Sequence, residues 1–105
     1  MAADFETIRL AAQNLADDAR RDLPVDRVFL YGSYAKGTAT ELSDVDVCFF
    51  LRDYAGQERV DLIIRLLNMG EKYPDVFFEP IVFQTSEIER GNPFVKEILR
   101  TGLEI

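Results

Sequence analysis

The chain has 105 residues, enough for one domain with a hydrophobic core, and its 48% hydrophobic and 30% charged residues are ordinary for a globular protein. Its 19 acidic and 12 basic residues give a net charge of −7, which argues against general binding of nucleic acid. The absence of histidine excludes a Ser-His or Cys-His triad and the commonest zinc ligand, and the single cysteine excludes an internal disulfide.

The predicted elements alternate between helix and strand. Apolar residues at spacings of three and four predict an amphipathic helix over the first twenty-odd residues, with Asp4 as its N-cap. An apolar run predicts the first strand, Val25–Tyr31, and one helical turn over Ser33–Lys36 follows it. After a loop, Val45–Leu51 is apolar at nearly every position, which is typical of a central strand.

The next two elements are a long helix and a third strand. The helix is predicted from about residue 58 to residue 69 or 73. Its buried face is expected to consist of four apolar residues: Val60, Ile63, Ile64 and Leu67. The strand is predicted over residues 76–83, and Pro80 interrupts it. Because proline has no N–H to donate, we expect this strand to lie at an edge of the sheet or to be bulged there.

Two capping signals predict helices near the C-terminus. Ser86 and Glu89 have the spacing of a capping box, and Asn92 followed by Pro93 is a stronger helix start. The element order predicts one α+β domain over residues 1–105, in which a small mixed sheet carries helices on one face. No apolar run approaches the roughly 20 residues of a membrane span. The single cysteine also fits a reducing compartment, so we expect a cytoplasmic protein without membrane contact.

Two aspartates stand at the start of the second strand. Asp44 and Asp46 are two residues apart, so their side chains should share one face, with Cα atoms ~6.6 Å apart. Two like charges at that spacing are costly unless a cation lies between them, and oxygen ligands favour a hard cation such as Mg²⁺. Solvated carboxylates are the plainer alternative. Asp46, however, lies between Val45 and Val47, where an acid without a ligand is hard to explain.

Gly32 and Ser33 end the first strand and begin the helical turn, a place where backbone N–H groups can bind phosphate. An ordinary turn could contain the same two residues. Lys36 could contact a phosphate as well, or it could simply be solvated. An anion site beside a metal site would suit a nucleoside triphosphate.

Together these residues form a GS motif, ten intervening residues and a D-x-D motif. The pattern resembles the nucleotidyltransferase superfamily of DNA polymerase beta, and within it the minimal nucleotidyltransferases. Further matching positions are Tyr34, Ala35, Lys36, Gly37 and Ser43. The resemblance implies the nucleotidyltransferase fold and transfer of a nucleoside monophosphate, usually AMP from ATP, to an acceptor with release of pyrophosphate.

The resemblance also implies a role for each matching residue. The implied nucleotide-binding residues are Gly32, Ser33, Lys36 and Ser43. The implied catalytic and metal-binding residues are Asp44, Asp46 and Glu79. Two Mg²⁺ ions are implied, with Mn²⁺ as the alternative ion.

Glu79 is the predicted third carboxylate, although family members often have aspartate there. It lies in an apolar stretch, where an ionised side chain needs solvent or a cation. Asp75, the other candidate, follows Pro74 in what reads as a turn. A Glu79 side chain that points into solvent from an edge strand remains the alternative.

Minimal members are commonly paired with a helical HEPN-type toxin, and some act as antitoxins by adenylylating it. The resemblance therefore implies ATP and an HEPN-type protein as partners. Two alternatives stay open: a nucleotide-binding module that regulates its partner by contact alone, and a small-molecule nucleotidyltransferase. A homo-oligomer also stays open, because we expect an apolar patch to be exposed beside the carboxylates. Its expected members are Cys48, Phe50, Phe77, Ile81 and Phe83.

Overall fold

The computed structural model describes residues 4–39 and 44–105. Its strands are β1 (Val25–Tyr31), β2 (Val45–Leu51), β3 (Phe78–Gln84) and β4 (Leu103–Glu104). Its α-helices are α1 (Phe5–Asp22), α2 (Ser33–Lys36), α3 (Arg59–Gly70), α4 (Glu87–Arg90) and α5 (Pro93–Thr101), and a 3-10 turn, Gly56–Glu58, precedes α3.

The four strands form one mixed sheet in the order β3-β2-β1-β4. β1 runs antiparallel to β2 and to β4, whereas β2 runs parallel to β3. β2 is therefore a central strand, as its continuous apolar run predicted. β3 lies at an edge, where Pro80 needs no ladder partner on its outer side. The predicted mixed sheet of an α+β fold is confirmed.

The two long helices, α1 and α3, cover one face of the sheet. α1 begins at the predicted cap, where the Asp4 carboxylate accepts a hydrogen bond of 2.8 Å from the Thr7 N–H. Its small residues bring it close to the sheet, and Leu15 is fully buried against the core. Val47 and Phe49 of β2 point into the same core. This face contains most of the buried apolar surface.

The predicted buried face of α3 is wrong for three of its four residues, and only Ile63 packs against the core as predicted. The side chains of Val60, Ile64 and Leu67 are 66%, 48% and 43% exposed, whereas Leu62 and Leu66 are buried. The helix has two apolar stripes that both show helical spacing, and the structure turns the Leu62–Leu66 stripe toward the sheet. Periodicity alone cannot choose between two such stripes, because the choice depends on how the helix packs.

The opposite face of the sheet is partly covered by α5, beyond the single helical layer that the sequence predicted. Val95 and Ile98 of α5 pack on Phe29, Cys48 and Phe50. Cys48 and Phe50 are consequently fully buried, so the expectation of an exposed patch on these two residues is wrong.

The C-terminal segment forms by capping and by pairing with the sheet. The Asn92 side chain accepts hydrogen bonds from the Phe94 and Val95 N–H groups at 2.9 and 3.4 Å, as its helix-start signal predicted. The Ser86 side chain makes no capping bond to α4. β4, which is too short to show a pattern, pairs with Phe29 and Leu30. In the described ranges, no helix has both the length and the apolar character to cross a membrane.

Candidate active site

Asp46 lies at the centre of the candidate site because two strands flank it. The antiparallel register of β1 and β2 places Tyr31 opposite Asp46, and the parallel register of β2 and β3 places Glu79 on its other side. Side chains at paired positions point to the same face of a sheet. The structure therefore pairs two residues that are 33 positions apart in the sequence, although Glu79 itself is exposed on the edge strand β3.

Asp46 and Glu79 occupy paired positions on β2 and β3, so the charge of Glu79 acts on the Asp46 carboxyl group. Burial, followed by the charge of Glu79 and its hydrogen bond, raises the pKa of Asp46 from its ordinary value of 3.8 to about 6. The charge of Asp44 adds a smaller contribution in the same direction. Near neutral pH this strand end consequently holds like charges at a free-energy cost, which a bound cation would relieve.

Gly32 allows the backbone to approach the Asp46 carboxylate. Its φ of +74° and ψ of −148° lie in a region that is essentially restricted to glycine. A Cβ atom at this position would come 2.3 Å from Oδ2 of Asp46. The sequence predicted Gly32 as a phosphate-binding residue but did not indicate this contact, which depends on the register of two strands.

The turn after Gly32 is held by its own backbone. The Lys36 N–H donates to the Gly32 carbonyl at 3.0 Å, and the Thr38 N–H donates to the Ser33 carbonyl at 2.9 Å. Ser33 therefore begins a compact helical turn beside Asp46. Lys36 is exposed at the end of this turn. Arg100 lowers the pKa of Glu97, and the charge of Lys36 makes a smaller contribution in the same direction.

The remaining predicted residues have less definite places. Asp44 is exposed just before β2, and Asp75 is exposed in the turn before β3. Ser43 lies outside the described residues. Cys48 is fully buried, and burial raises the pKa of its thiol to about 12, so it is not an activated nucleophile.

The fit of a divalent cation to these carboxylates is partial. Within residues 4–39 and 44–105, no three His, Cys, Asp or Glu side chains are arranged as a complete metal site. The Asp46–Glu79 pair nevertheless supplies hard oxygen ligands, and Asp44 is close enough to act electrostatically on Asp46. The donor chemistry therefore fits Mg²⁺ or Mn²⁺.

An aromatic group borders the carboxylates on the same face. The ring of Tyr31 meets Phe94 of α5 edge-to-face with centroids 6.0 Å apart, and Phe94 lies 5.9 Å from Phe83. Burial and the charge of Asp46 raise the pKa of Tyr31, so its phenol stays protonated. From the sequence, only the alternation of side chains along β1 could indicate that Tyr31 shares one face of the sheet with Phe29.

The raised pKa of Asp46 predicts a pH-dependent gain in stability for Asp46→Asn without divalent cations. Between about pH 4 and pH 6 the unfolded chain releases this proton while the folded chain keeps it, so wild-type stability falls across that window and the loss is complete above it. At pH 7.5 the variant should be more stable by roughly 1 kcal/mol, a value discounted for partial exposure. The difference should vanish below pH 4.

Thermal unfolding from pH 3.5 to 8 measures this difference. Asp75→Asn is the matched control, because an exposed turn residue should change stability by less than about 0.5 kcal/mol. A variant less stable than the wild type at pH 7.5 would contradict the account of Asp46.

Comparison with known proteins identifies the family of this chain. The family model described as a nucleotidyltransferase domain matches residues 12–100. A protein of Methanocaldococcus jannaschii that bears the name of a protein adenylyltransferase is 30% identical over 81 residues, which cover 77% of this chain and 79% of that protein.

Solved structures share the fold. A structure from Sulfolobus solfataricus that is assigned as a nucleotidyltransferase has a TM-score of 0.68 at 18% identity, covering 95% of this chain and 80% of its own. A structure assigned as a minimal nucleotidyltransferase has a TM-score of 0.65 at 23% identity, and the match covers 98% of this chain and 97% of that one. A toxin–antitoxin structure with AMP-PNP has a TM-score of 0.60 at 17% identity, and the match covers 89% of this chain and 70% of that one. Because the family model spans most of its length, this chain belongs to the nucleotidyltransferase domain family and is a nucleotidyltransferase.

Proposed function

We propose that this nucleotidyltransferase transfers AMP from ATP to a hydroxyl group of a partner protein in a Mg²⁺-dependent reaction. The acceptor proposed is an HEPN-type toxin, which the chain would inactivate as an antitoxin. The observation that carries the proposal is the Asp46–Glu79 carboxylate pair with the Gly32 backbone packed against it. This arrangement joins a cation site to a phosphate-binding turn.

The comparisons support the donor and the acceptor class. The relative from Methanocaldococcus jannaschii bears the name of a protein adenylyltransferase, which specifies both an adenylyl group and a protein acceptor. The toxin–antitoxin neighbour was determined with AMP-PNP, an ATP analogue. The HEPN type of the partner rests on the resemblance to minimal nucleotidyltransferases.

The proposed roles of Asp46 and Glu79 rest on the register of β2 and β3, and those of the other residues rest on the resemblance to the family. Asp46 and Glu79, with Asp44, would hold Mg²⁺, which when bound supplies charge neutralisation for the carboxylates and the triphosphate. The backbone N–H groups at Gly32 and Ser33 would orient the phosphates. Lys36 and Ser43 are proposed as further nucleotide-binding residues. Because the chain has no histidine, the carboxylates are the groups that would accept the proton of the attacking hydroxyl.

The reaction itself is tested by mixing the chain with a purified HEPN-type protein, Mg²⁺ and ATP labelled either at the α- or at the γ-phosphate. We expect the α-label on the partner, a mass increase equal to one adenylyl group (AMP less water), and an equal amount of pyrophosphate. Asp46→Asn should abolish all three signals. Toxin inhibition without pyrophosphate would favour regulation by contact alone, and pyrophosphate release with only a small-molecule acceptor would favour the other alternative.

ATP binding is predicted to require a divalent cation. The clustered carboxylates repel the triphosphate until a cation neutralises them, so calorimetry in Mg²⁺ or Mn²⁺ should detect ATP while the same titration in EDTA should not. Affinity should fall by at least about tenfold on chelation. Equal affinity in both buffers would contradict the proposed metal site and leave the assignment to the family unaffected.

A further inference from the structure

The outer side of α3 carries apolar residues that no other element in the described part of the chain covers. They form an outer stripe of Val60, Ile64 and Leu67, each between 43% and 66% exposed. Phe77, from the segment before β3, is 74% exposed and extends the same surface. Four large apolar side chains exposed side by side are more than the scattered exposure that is normal on a monomer.

A groove runs beside this stripe. It has a volume of about 530 Å³ and lies between α3 and the segment that leads into β3. Ile64 and Leu67 form one wall, and Tyr73, Pro74 and Phe77 are on the other side. A groove of this shape can receive an apolar helix face, which is a recurring mode of protein recognition.

The charged residues beside the stripe are self-complementary. Asp61 and Arg65 each follow a stripe residue by one position, so they lie on the same flank of α3, about one turn apart. Among the described residues, neither side chain takes part in an ion pair. When two copies of α3 pack antiparallel and cross near Ile64, Asp61 of each copy comes opposite Arg65 of the other.

We propose that the outer stripe of α3 is an interface for a second copy of this chain, which packs its own α3 antiparallel against it. A two-fold contact of this kind is isologous, so each unlike pair forms twice and Val60 of one copy meets Leu67 of the other. The reciprocal charge pattern favours a second copy over an unrelated protein, whose charges would have no reason to repeat it. The small apolar area predicts a weak dimer, with a dissociation constant on the order of micromolar.

Sedimentation of the whole chain from about 1 to 500 µM tests the dimer, a range that brackets the predicted dissociation constant. Salt at 0.15 M screens repulsion between two copies of charge −7 beyond about 8 Å. We expect a concentration-dependent shift from one to two copies. Ile64→Glu should raise the dissociation constant at least about thirtyfold, because it places two like charges at the centre of the contact. Leu10→Glu is the control, since Leu10 is 63% exposed on α1, outside the patch.

Charge reversal tests the antiparallel geometry. Asp61→Arg alone and Arg65→Asp alone should each weaken the dimer about tenfold, because each places like charges opposite each other. The double variant that exchanges the two residues should restore association to near the wild-type value. All these positions are exposed, and circular dichroism verifies that each variant is folded.

Three outcomes would overturn the proposal. They are a wild-type chain that is monomeric at every concentration, a dimer that survives Ile64→Glu, and a double charge exchange that fails to restore association. A wild-type monomer that binds a different protein through Ile64 would assign the surface to that partner instead.

Discussion

Replacing Glu79 by glutamine is expected to lower the rate of nucleotide transfer by roughly 10²-fold or more, the loss found when one preorganised charged group is removed from an active site. The substitution keeps the shape of the side chain and removes its charge. Glu79 lies directly beside Asp46 in the sheet. In the variant, Asp46 would therefore have to hold the cation without the charge of Glu79. ATP binding should fall less than turnover, since the phosphate-binding turn at Gly32 is unchanged.

Asp75→Asn is the matched control for this experiment. It also removes one negative charge near the start of β3, but Asp75 is exposed in the turn before the strand and does not pair with Asp46 in the sheet. Turnover of this variant should stay near the wild-type rate. If Glu79→Gln kept its activity while Asp75→Asn lost it, the third carboxylate would be Asp75.

Gly32→Ala is expected both to destabilise the fold and to reduce activity. The new Cβ would lie 2.3 Å from Oδ2 of Asp46, so either the carboxylate or the turn must move. Alanine would also have to adopt a backbone conformation that costs roughly 1 to 3 kcal/mol. We expect a total loss of roughly 3 kcal/mol or more in the free energy of unfolding. Displacing Asp46 from Glu79 should reduce turnover even where the protein remains folded.

Gly37→Ala separates the contact with Asp46 from the cost of a positive φ. Gly37 has a φ of +75°, yet no atom of the described residues lies within 4 Å of the position of its Cβ. Its left-handed conformation should cost alanine roughly 1 kcal/mol, and activity should persist. Denaturant unfolding and turnover measured for both variants show the difference. Equal effects of the two substitutions would show that the packing of Gly32 on Asp46 is unimportant.

Several elements follow from local sequence because local physics sets their ends. β1 and β2 have the predicted bounds, since the apolar run that closes β1 ends at Gly32 and the nearly continuous apolar run of β2 ends at Arg52. The caps at Asp4 and Asn92 form as predicted, because a capping bond spans only two or three residues. The GS and D-x-D motifs likewise identified most of the candidate site.

Tertiary structure decided which apolar surfaces are buried. α3 has two apolar stripes, and only packing on the sheet selects Leu66 over Ile64 for the core. Helix α5 folds onto the opposite face and buries Cys48 and Phe50. The alternation along β2 predicts which face these two residues share, but it does not predict that a helix covers that face. β4 forms because Leu103 and Glu104 meet the free edge of β1, a contact that no two-residue pattern contains.

Tertiary structure also decided the geometry of the active site. The sequence by itself determined that Asp46 and Glu79 are acids within apolar strands, where an ionised group needs solvent or a cation. Their proximity comes from the parallel register of β2 and β3, and the approach of Gly32 comes from the end of β1 beside them. Register is a relation between strands that are distant in sequence. Only the packed sheet could therefore convert two acids and a glycine into one site.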